Sequence, residues 1–290
     1  MTFDNLEILK RRYEFSFTNR EFYNIQSSRF SESSLYNLFL FRKTYKYVLS
    51  LRWPDSLEGV TRYNQKFVIP LNLDPDFISS YAHDILNNGF GLYPLSKYQV
   101  EDLLKNISEA NLKVYQHRDQ SDYLYRKEDF LNASGKKYEK QRYYVNKLQR
   151  DYNVTFKSLS EINVSDVNAC LEIWKKQVDT GYIMDYHECV EGIDMVLEGL
   201  LKGYCIYLNG KLESFIIYDD TLSDMSVALF QKSNHNYQGL TDYCYRIYCE
   251  HDITSIYFNL CQDLGIPGLR KKKLLMHPVA ILDKYLVLPT

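Results

Sequence analysis

The chain has 290 residues, which is longer than one average domain, so its length indicates one large or two medium-sized domains, and we expect two. Hydrophobic residues make up 45% of the sequence and charged residues 25%, a balance that predicts that almost every segment is folded. A formal net charge of −2 excludes a protein that coats nucleic acid non-specifically, because such binding needs a broad positive field.

The first half of the sequence predicts elements in the order α-βββ-α-β-α-β. Ser33 or Ser34 is suited to cap the first helix, and Asp74 followed by Pro75 predicts the start of the second. Runs rich in Val, Tyr, Ile or Leu, separated by turn residues, predict the strands. In chain order the helices are 34–43, 75–87 and 96–106, and the strands are 45–52, 58–63, 67–71, 91–94 and 112–117.

The second half repeats this order of elements after a helix at 136–151. Its predicted strands are 154–159, 205–208, 212–218, 225–231, 255–259 and 285–288, and its helices are 165–177, 184–201, 239–250 and 267–273. Three antiparallel strands followed by strands linked through helices is the order of the N-acetyltransferase-like fold. The sequence therefore predicts an α+β protein of tandem N-acetyltransferase-like (GNAT-type) lobes, each a mixed sheet flanked by helices. We expect an N-terminal lobe at 1–133, a linking basic helix at 134–152 and a C-terminal lobe at 153–290.

Compartment and cofactors follow from the termini, cysteines and histidines. The N-terminal residues contain no apolar signal region, and no stretch approaches about 18 apolar residues, so we expect a cytoplasmic protein without a transmembrane segment. All six cysteines fall in the second half without a CxxC pair, which favours reduced, mostly buried thiols. The six histidines lack the i, i+4 spacing of a metal-binding face. The sequence therefore predicts neither a metal site nor a cofactor.

Cationic residues concentrate on one face of the predicted helix at 136–151. Residues 134–150 contain six Lys or Arg and one Glu, which gives a net charge of +5. At about 100° per residue, most of these cations gather on one face, while Tyr138, Val145 and Leu148 gather on the other. The cationic face is either a solvated surface or a binding surface for a polyanion such as phosphate or the tRNA backbone.

A second cationic stretch closes the predicted strand at 255–259. Asn259 and Asp263 follow that strand, where open α/β sheets bind ligands, and a Pro-Gly turn leads into four consecutive cations at 270–273. Such cations are able to neutralise a phosphate or a developing oxyanion. A run of lysines is also typical of a solvated surface, so the pattern alone leaves both interpretations open.

These motifs resemble an uncharacterised family that shares the C-terminal catalytic domain of phosphatidylglycerol lysyltransferases, which are related to Fem-type aminoacyltransferases. The resemblance is carried by Asp-Tyr-Leu-Tyr at 122–125, by 134–146, by 259–273 and by the opening stretch 34–43, and so covers nearly the whole chain. It implies two acetyltransferase-like lobes. It also implies transfer of an amino acid from aminoacyl-tRNA to a lipid headgroup or peptide amine, without a covalent enzyme intermediate.

The resemblance also suggests roles for individual residues. Those expected to be catalytic, either by stabilising charge or by orienting the acceptor, are Lys273, Arg270, Asp263 and Asn259. Those expected to bind the donor or its phosphates are Lys136, Lys137, Lys140, Arg142, Lys147, Lys232 and Lys271. Those expected to form the acceptor pocket are Asp122, Tyr123 and Tyr125.

Several positions depart from the family's pattern. Leu260, Cys261 and Gln262 stand where the family usually has an arginine and two glutamates. Leu229 and Gln231 replace the histidine and glutamate of an earlier motif, of which Lys232 remains. Because an amide cannot exchange a proton near neutral pH, a general acid or base is missing at these positions.

Three functions therefore stay open from the sequence. The leading hypothesis is an acyl or aminoacyl transferase that takes its group from aminoacyl-tRNA or another anionic activated donor and meets phospholipid headgroups only peripherally. The second is a catalytically inactive protein that binds tRNA or a phosphate ligand. The third is an acetyl-CoA-dependent N-acetyltransferase, although residues 231–239 contain a single late glycine where a pyrophosphate loop needs several. Donor, acceptor and oligomeric state are not determined by the sequence.

Overall fold

The computed structural model describes residues 2, 29–61, 63–71, 75–107, 112–178, 185–222, 224–251 and 255–290. In chain order, the elements of these ranges are α1 (Leu35–Leu40), β1 (Val48–Leu49), β2 (Ser56–Val60), β3 (Lys66–Pro70), α2 (Pro75–Asn87), β4 (Gly91–Leu95), α3 (Lys97–Asn106), β5 (Leu112–Gln116), β6 (Asp122–Arg126), α4 (Lys127–Asn132), α5 (Glu139–Asp151), β7 (Val154–Ser158), α6 (Val164–Gln177), α7 (Tyr186–Leu197), β8 (Lys202–Leu208), β9 (Lys211–Asp219), β10 (Met225–Ser233), α8 (Leu240–His251), β11 (Tyr257–Asn259), α9 (Pro267–Leu275), β12 (Ala280–Leu282) and β13 (Tyr285–Pro289).

The chain divides into two compact units, and the division does not follow chain order. The first unit contains Met1–Tyr123, Cys261–Arg270 and Ala280–Thr290. The second contains Leu124–Leu260 and Lys271–Val279. The end of the chain thus belongs to the first unit, whereas the sequence placed all of 153–290 in one lobe.

The sheet of the first unit has the strand order β1-β2-β3-β4-β13-β5. β3 and β4 run parallel, and the other neighbouring strands are antiparallel, so the sheet is mixed. β13 lies between β4 and β5, with Val287 opposite Leu92 on one side and Val114 on the other. The last strand joins this sheet because it fills a gap that would leave β4 and β5 with unpaired backbone groups.

A hydrophobic core under α2 and α3 supports the sheet of the first unit. Trp53, Ile85, Leu92 and Val287 are each at most 1% exposed within it. Ser96 begins α3 with a capping box, in which its hydroxyl accepts from the Gln99 backbone N–H. This local signal explains why the start of the helix is readable from the sequence.

The second unit contains another mixed sheet, whose own strands have the order β6-β11-β10-β9-β8-β7. β10 and β11 run parallel, and the other neighbouring strands are antiparallel. Helices α6 and α8 pack against β9. Phe215, Ile216, Ile217 and Tyr218 are consecutive and all buried, which requires that both faces of β9 are covered.

The predicted α+β class with two mixed sheets is confirmed, and most predicted elements appear within a few residues of their expected bounds. The predicted strand at 45–52 is wrong in extent, because residues 41–46 form turns and the strand that pairs with β2 consists of Val48–Leu49. β6, α4 and β12 were not predicted. The expected helix cap at Asp74 and the expected helix start at residue 184 lie outside the described residues.

Candidate functional site

Asp263 belongs to the first unit and comes four residues after the end of β11 in the sequence, and its side chain is fully buried. Arg270, in the first turn of α9, donates from Nε to Oδ2 and from Nη2 to Oδ1, each at 2.8 Å. Arg118 donates from Nη1 to Asp263 Oδ2 at 3.2 Å. The Tyr123 hydroxyl donates to the same oxygen at 2.5 Å. The backbone N–H of Gly265 donates to Oδ1 at 2.9 Å. These residues and Asp119 are named the Asp263 network below.

The protonation state of Asp263 follows from these contacts. Burial alone would raise the pKa of its carboxyl, but hydrogen bonds from Arg270, Tyr123 and the Gly265 N–H lower it to about 2. The same carboxylate and that of Asp119 raise the pKa of Arg270 above its usual value. At neutral pH, Asp263 is therefore an ionised acceptor that holds Arg270, and it is too weak a base to remove a proton from an acceptor substrate.

The two arginines of the Asp263 network keep part of their surface open to solvent. Arg270 is 33% exposed and also donates from Nη2 to Asp119 Oδ1 at 2.7 Å. Arg118 is 34% exposed and donates from Nη2 to the Tyr123 hydroxyl at 2.8 Å. A guanidinium group that is fixed on one edge and open on another is suited to bind a phosphate or a carbonyl oxygen that becomes negative.

The backbone around Asp263 is held in an unusual conformation. Cys261 and Leu264 have positive φ angles of 56° and 55°, and Gly265 has a φ of 75°. A Cβ atom at Gly265 would lie 2.8 Å from Oδ2 of Asp119, so a side chain does not fit there without a shift. Non-glycine residues in this region cost about 1 kcal/mol or more each and persist where the surroundings fix them.

A second cluster of buried charged groups lies in the first unit, at residues that no sequence motif indicates. Lys284 is fully buried, and its Nζ lies 2.6 Å from Glu32 Oε2, 2.9 Å from Asp122 Oδ1 and 3.1 Å from Ser31 Oγ. Ser31 also donates its backbone N–H to Asp122 Oδ2 at 2.6 Å and accepts from Gln262 Nε2 at 2.8 Å. Burial raises the pKa of Glu32, an effect that the adjacent ammonium opposes. No local pattern signals these contacts, because up to 253 residues separate the partners.

The three residues predicted for the acceptor pocket lie on β6 and are all fully buried. Asp122 contacts Lys284, and Tyr123 belongs to the Asp263 network. In the second unit, the Tyr125 hydroxyl donates to the backbone carbonyl of Lys273 at 2.8 Å. Their assignment to an acceptor pocket stays a prediction.

Lys273 and Asn259 belong to the second unit. Lys273 is 5% exposed, and its ammonium donates to the backbone carbonyl of Leu260 at 2.6 Å. Asn259 is fully buried on β11, opposite Leu124 of β6. Their catalytic assignments stay predictions.

The predicted phosphate-binding residues just before α5, within α5 and on α9 do not share one environment. Lys136, Lys137, Lys140 and Lys271 are exposed, and Lys147 is half-buried. In contrast, Arg142 Nη1 donates to the backbone carbonyls of Ala133 and, at 2.8 Å, Gly135. Arg142 therefore stabilises the turn before α5. The exposed lysines are open to solvent, which fits both interpretations of the sequence.

Lys232 and Gln231 lie at the end of β10 in the second unit. Lys232 is 5% exposed, and its Nζ lies 2.9 and 2.8 Å from the two carboxylate oxygens of Asp185 and 3.8 Å from the centre of the Trp174 ring. Asp185 thus neutralises the cation that the sequence assigned to phosphate. Gln231 donates from Nε2 to the Ser233 hydroxyl at 2.5 Å, so the family's glutamate position holds a neutral hydrogen-bonded amide.

Gly239, the late glycine of the 231–239 loop, has a structural reason for its position. Its φ is 86°, and an added Cβ would lie 2.5 Å from the backbone oxygen of Tyr144. The glycine therefore allows α5 to approach the start of α8. This contact accounts for the glycine without a pyrophosphate ligand.

Neither a metal centre nor a bilayer-spanning helix is apparent in the part of the chain that the structure describes. No group of three or more His, Cys, Asp or Glu side chains there is arranged to hold a metal ion. Helices in the same ranges lack the length and apolar character needed to cross a bilayer.

Solved structures resemble the whole chain. A conserved protein of unknown function from Bacteroides thetaiotaomicron VPI-5482 superposes with a TM-score of 0.79 at 19% identity, covering 100% of this chain and 98% of that one. L-PGS from Bacillus licheniformis gives 0.60 at 14% identity, covering 88% and 86% of the two chains. FemX gives 0.58 at 8% identity, covering 97% and 96%. At these identities the likeness establishes the fold.

Sequence comparison then identifies the family. No curated protein shows significant sequence similarity to the chain. The family model described as "Phosphatidylglycerol lysyltransferase, C-terminal" matches residues 81–288, which include the Asp263 network and all but the last residue of β13. The chain therefore belongs to the phosphatidylglycerol lysyltransferase C-terminal domain family.

Proposed function

We propose that this protein is a transferase that moves an aminoacyl group from aminoacyl-tRNA, or an acyl group from another anionic activated donor, to an amine or hydroxyl acceptor. Membership of the family supports the class of reaction. The observation that carries the proposal is the Asp263 network, in which the Arg270 guanidinium is bonded to Asp263 and Asp119 and is still 33% exposed.

The proposed reaction is direct attack on an ester. The acceptor nitrogen attacks the ester carbonyl, the new C–N bond forms and the carbonyl oxygen becomes negative. Arg270 stabilises this oxyanion or the donor phosphates, while Asp263 orients the guanidinium. The C–O bond then breaks, and the proton released by the acceptor passes to the ribose oxygen that leaves. Amines are nucleophilic when uncharged, so positioning and charge stabilisation suffice without a base at Asp263.

The roles of the other residues belong to the same proposal. Lys273 would supply a cation and Asn259 an orienting amide, and Asp122, Tyr123 and Tyr125 would contact the acceptor. The exposed lysines of α5 and α9 would attract the anionic donor before it binds. A peptide amine fits this chemistry directly, whereas a hydroxyl of a lipid headgroup reached from the membrane surface would attack through oxygen, form a new C–O bond and pass its proton to the leaving ribose oxygen.

A second candidate is a protein that binds the donor without chemistry. It is favoured by Gln231, whose amide donates to Ser233, and by Gln262, whose amide donates to Ser31. Both positions have titratable side chains in the family's usual pattern, and neither amide exchanges protons near neutral pH.

Turnover separates the two candidates. The protein is incubated with charged tRNA and either a peptide amine or phosphatidylglycerol vesicles, and release of uncharged tRNA is followed. A transferase releases tRNA faster than the uncatalysed rate and modifies the acceptor. Saturable binding of charged tRNA without release would overturn the transferase and support the binding protein. Thermal-shift measurements with acetyl-CoA test the N-acetyltransferase alternative, because a ligand of the native state raises its Tm.

Arg270→Gln tests the assigned role directly. Loss of a charged donor to a developing oxyanion lowers kcat by about 10²-fold or more. Arg270→Lys keeps the charge but not the planar fork, so it restores only part of the rate. Arg246→Gln is the matched control, because Arg246 is a similarly exposed arginine that pairs with Glu250 on α8. Equal rates for Arg270→Gln and Arg246→Gln would contradict the role of Arg270.

A further inference from the structure

A cavity of about 500 Å³ lies in the first unit at the end of α1 and the start of β1. Residues of the Asp263 network do not line it. Its lining includes Phe39, Arg42, Lys43, Lys46, Tyr47 and Val48. Ligand sites for small molecules typically have volumes of about 300–1,000 Å³, so the space is sufficient for one.

The lining is cationic, with three basic residues and no acidic residue among those of the described ranges. Lys43 and Lys46 are exposed, and neither ammonium has a hydrogen-bond or ion-pair partner in the described ranges. Lys284 and Lys272, in contrast, are neutralised by the carboxylates of Glu32 and Asp242. Lys43 and Lys46 therefore bring to the cavity two positive charges that no described side chain neutralises.

The backbone brings these cations to the same cavity at a conformational cost. Residues 41–46 form turns, and the Tyr47 N–H donates back to the Arg42 carbonyl at 2.8 Å. Lys46 has a φ of 53°, in the left-handed region that costs a non-glycine residue about 1 kcal/mol or more. Strain at a residue that lines a cavity is an observation that points to function.

The cavity also has an apolar wall with a fixed cation on it. Phe39 is fully buried and Tyr47 is 5% exposed, whereas Val48 is 50% exposed. The Arg42 guanidinium lies 3.7 Å from the centre of the Phe39 ring, and its Nη1 donates to the Phe39 carbonyl at 2.7 Å. The site thus combines a held guanidinium, two ammonium groups and exposed apolar surface.

We propose that this cavity binds a phosphate monoester that carries an apolar substituent. A phosphate monoester has a charge of about −1.5 to −2 at neutral pH, which matches several cations better than the single charge of a carboxylate. Its three outer oxygens accept from Arg42, Lys43 and Lys46. The apolar substituent contacts Val48 and the Tyr47 ring. Soluble phosphate esters and monoester lipid headgroups share this chemistry.

Calorimetric titration with hexyl phosphate tests the charge requirement. Wild-type protein binds the probe saturably, and inorganic phosphate binds more weakly because it lacks the apolar group. The Lys43→Gln/Lys46→Gln variant loses two charge-assisted hydrogen bonds and binds hexyl phosphate roughly 10- to 10³-fold more weakly. Lys97→Gln is the matched control, because Lys97 is an exposed lysine of the same unit that does not line the cavity. Both exposed positions tolerate glutamine, which circular dichroism checks.

A second variant tests the apolar wall. Val48→Ser lowers the affinity for hexyl phosphate and leaves the affinity for inorganic phosphate unchanged, because only the alkyl chain loses a contact. Equal affinity of wild type and Lys43→Gln/Lys46→Gln for hexyl phosphate would overturn the proposal. It would also be overturned if Lys97→Gln lowered this affinity as much as Lys43→Gln/Lys46→Gln does. A lower affinity of Val48→Ser for inorganic phosphate would also contradict the proposal.

Vesicle binding distinguishes the two sources of the ligand. Phosphatidylcholine vesicles with and without phosphatidic acid are sedimented with each variant. Binding that requires phosphatidic acid and is lost in Lys43→Gln/Lys46→Gln identifies a lipid headgroup as the source. Binding of hexyl phosphate without vesicle binding identifies a soluble ester. Absence of both overturns the site and leaves the transferase assay unaffected, because Arg270 is not part of the cavity.

Discussion

The Asp263 carboxylate accepts hydrogen bonds from two guanidinium groups and a phenol. Its removal therefore measures how much the network contributes to the free energy of unfolding. We expect Asp263→Asn to lower the free energy of unfolding by about 2–4 kcal/mol. An amide at this position cannot accept from all of its present donors, and it leaves Arg118 without its carboxylate partner and Arg270 with only the exposed Asp119. Urea unfolding followed by circular dichroism measures the loss.

Asp119 provides the matched control for this variant. It contacts the same Arg270 guanidinium at 2.7 Å but is 58% exposed. Ion pairs in such surroundings contribute about 0–1 kcal/mol, so Asp119→Asn has a small effect. Equal losses of unfolding free energy in the two variants would show that the burial of Asp263 does not increase its contribution to stability.

The same carboxylate gives the folded protein a specific dependence on pH. The pKa of Asp263 is lowered from 3.8 to about 2, so folding favours the ionised form. Its contribution to stability is complete above the unfolded pKa and is lost as the pH falls towards 2. We expect the unfolding free energy of the wild type to fall more steeply than that of Asp263→Asn between about pH 4 and pH 2. Parallel curves for the two proteins would contradict the lowered pKa.

Lys284 is the other residue whose loss has a large predicted effect. Burial alone would lower the pKa of its ammonium, but the carboxylates of Asp122 and Glu32 raise it above the usual lysine value. Lys284→Met removes the ammonium that contacts both buried carboxylates, and we expect the free energy of unfolding in urea to fall by about 3–5 kcal/mol. Lys97→Met, on the exposed face of α3, should change stability by less than about 0.5 kcal/mol. A loss below about 1 kcal/mol for Lys284→Met would refute this role.

Only some residues of the two buried charge clusters can be predicted from the sequence. Asp263 and Arg270 were selected from the closing motif, and the structure shows them in direct contact. Their partner Arg118 was not selected, because it lies 145 residues before Asp263 and no local spacing relates the two. Lys284 and Glu32 were missed for the same reason, since burial and pairing of charges depend on tertiary structure.

At the scale of elements, Gly239 fixes how α5 meets α8. Gly239→Ala places a Cβ against the Tyr144 carbonyl in addition to the cost of a positive φ, so we expect a loss of about 2–4 kcal/mol. Gly210→Ala is the control, because Gly210 has a φ of 83° but no atom within 4 Å of an added Cβ. Its loss should be limited to the conformational cost of about 1–2 kcal/mol. Thermal unfolding compares the two, and equal shifts in Tm would exclude the steric contribution.

The elements that the sequence predicted have strong local signals. Ser34 accepts from the Asn37 N–H at the start of α1, and Ser96 forms a capping box at α3. β6 has the sequence Asp-Tyr-Leu-Tyr-Arg, whose charged ends obscure a strand that is buried along four of its five residues. β12 has only three residues and no distinct periodicity. Short or charge-bearing strands are recognisable only from their pairing.

At the scale of the whole molecule, element order indicated two mixed sheets but not which sheet each strand joins. β13 follows the elements of the second unit in the sequence, yet it pairs with β4 and β5 of the first. The segment from Cys261 to Arg270 likewise belongs to the first unit. The Asp263 network is therefore assembled from residues about 140 positions apart, and it forms where the segment Cys261–Arg270 returns to the first unit.

A substitution in β13 tests this return of the chain. Val287 is fully buried between Leu92 of β4 and Val114 of β5, so Val287→Asn places an amide in the apolar core. We expect a loss of about 3 kcal/mol or more, because both the apolar contacts and the solvation of the amide are lost. Hydrogen exchange should accelerate at the amides of β4 and β5, more than 150 residues earlier in the sequence. Ile281→Asn, six residues away and 37% exposed, should leave exchange in β4 and β5 unchanged, whereas matching profiles for the two variants would exclude a central position for β13.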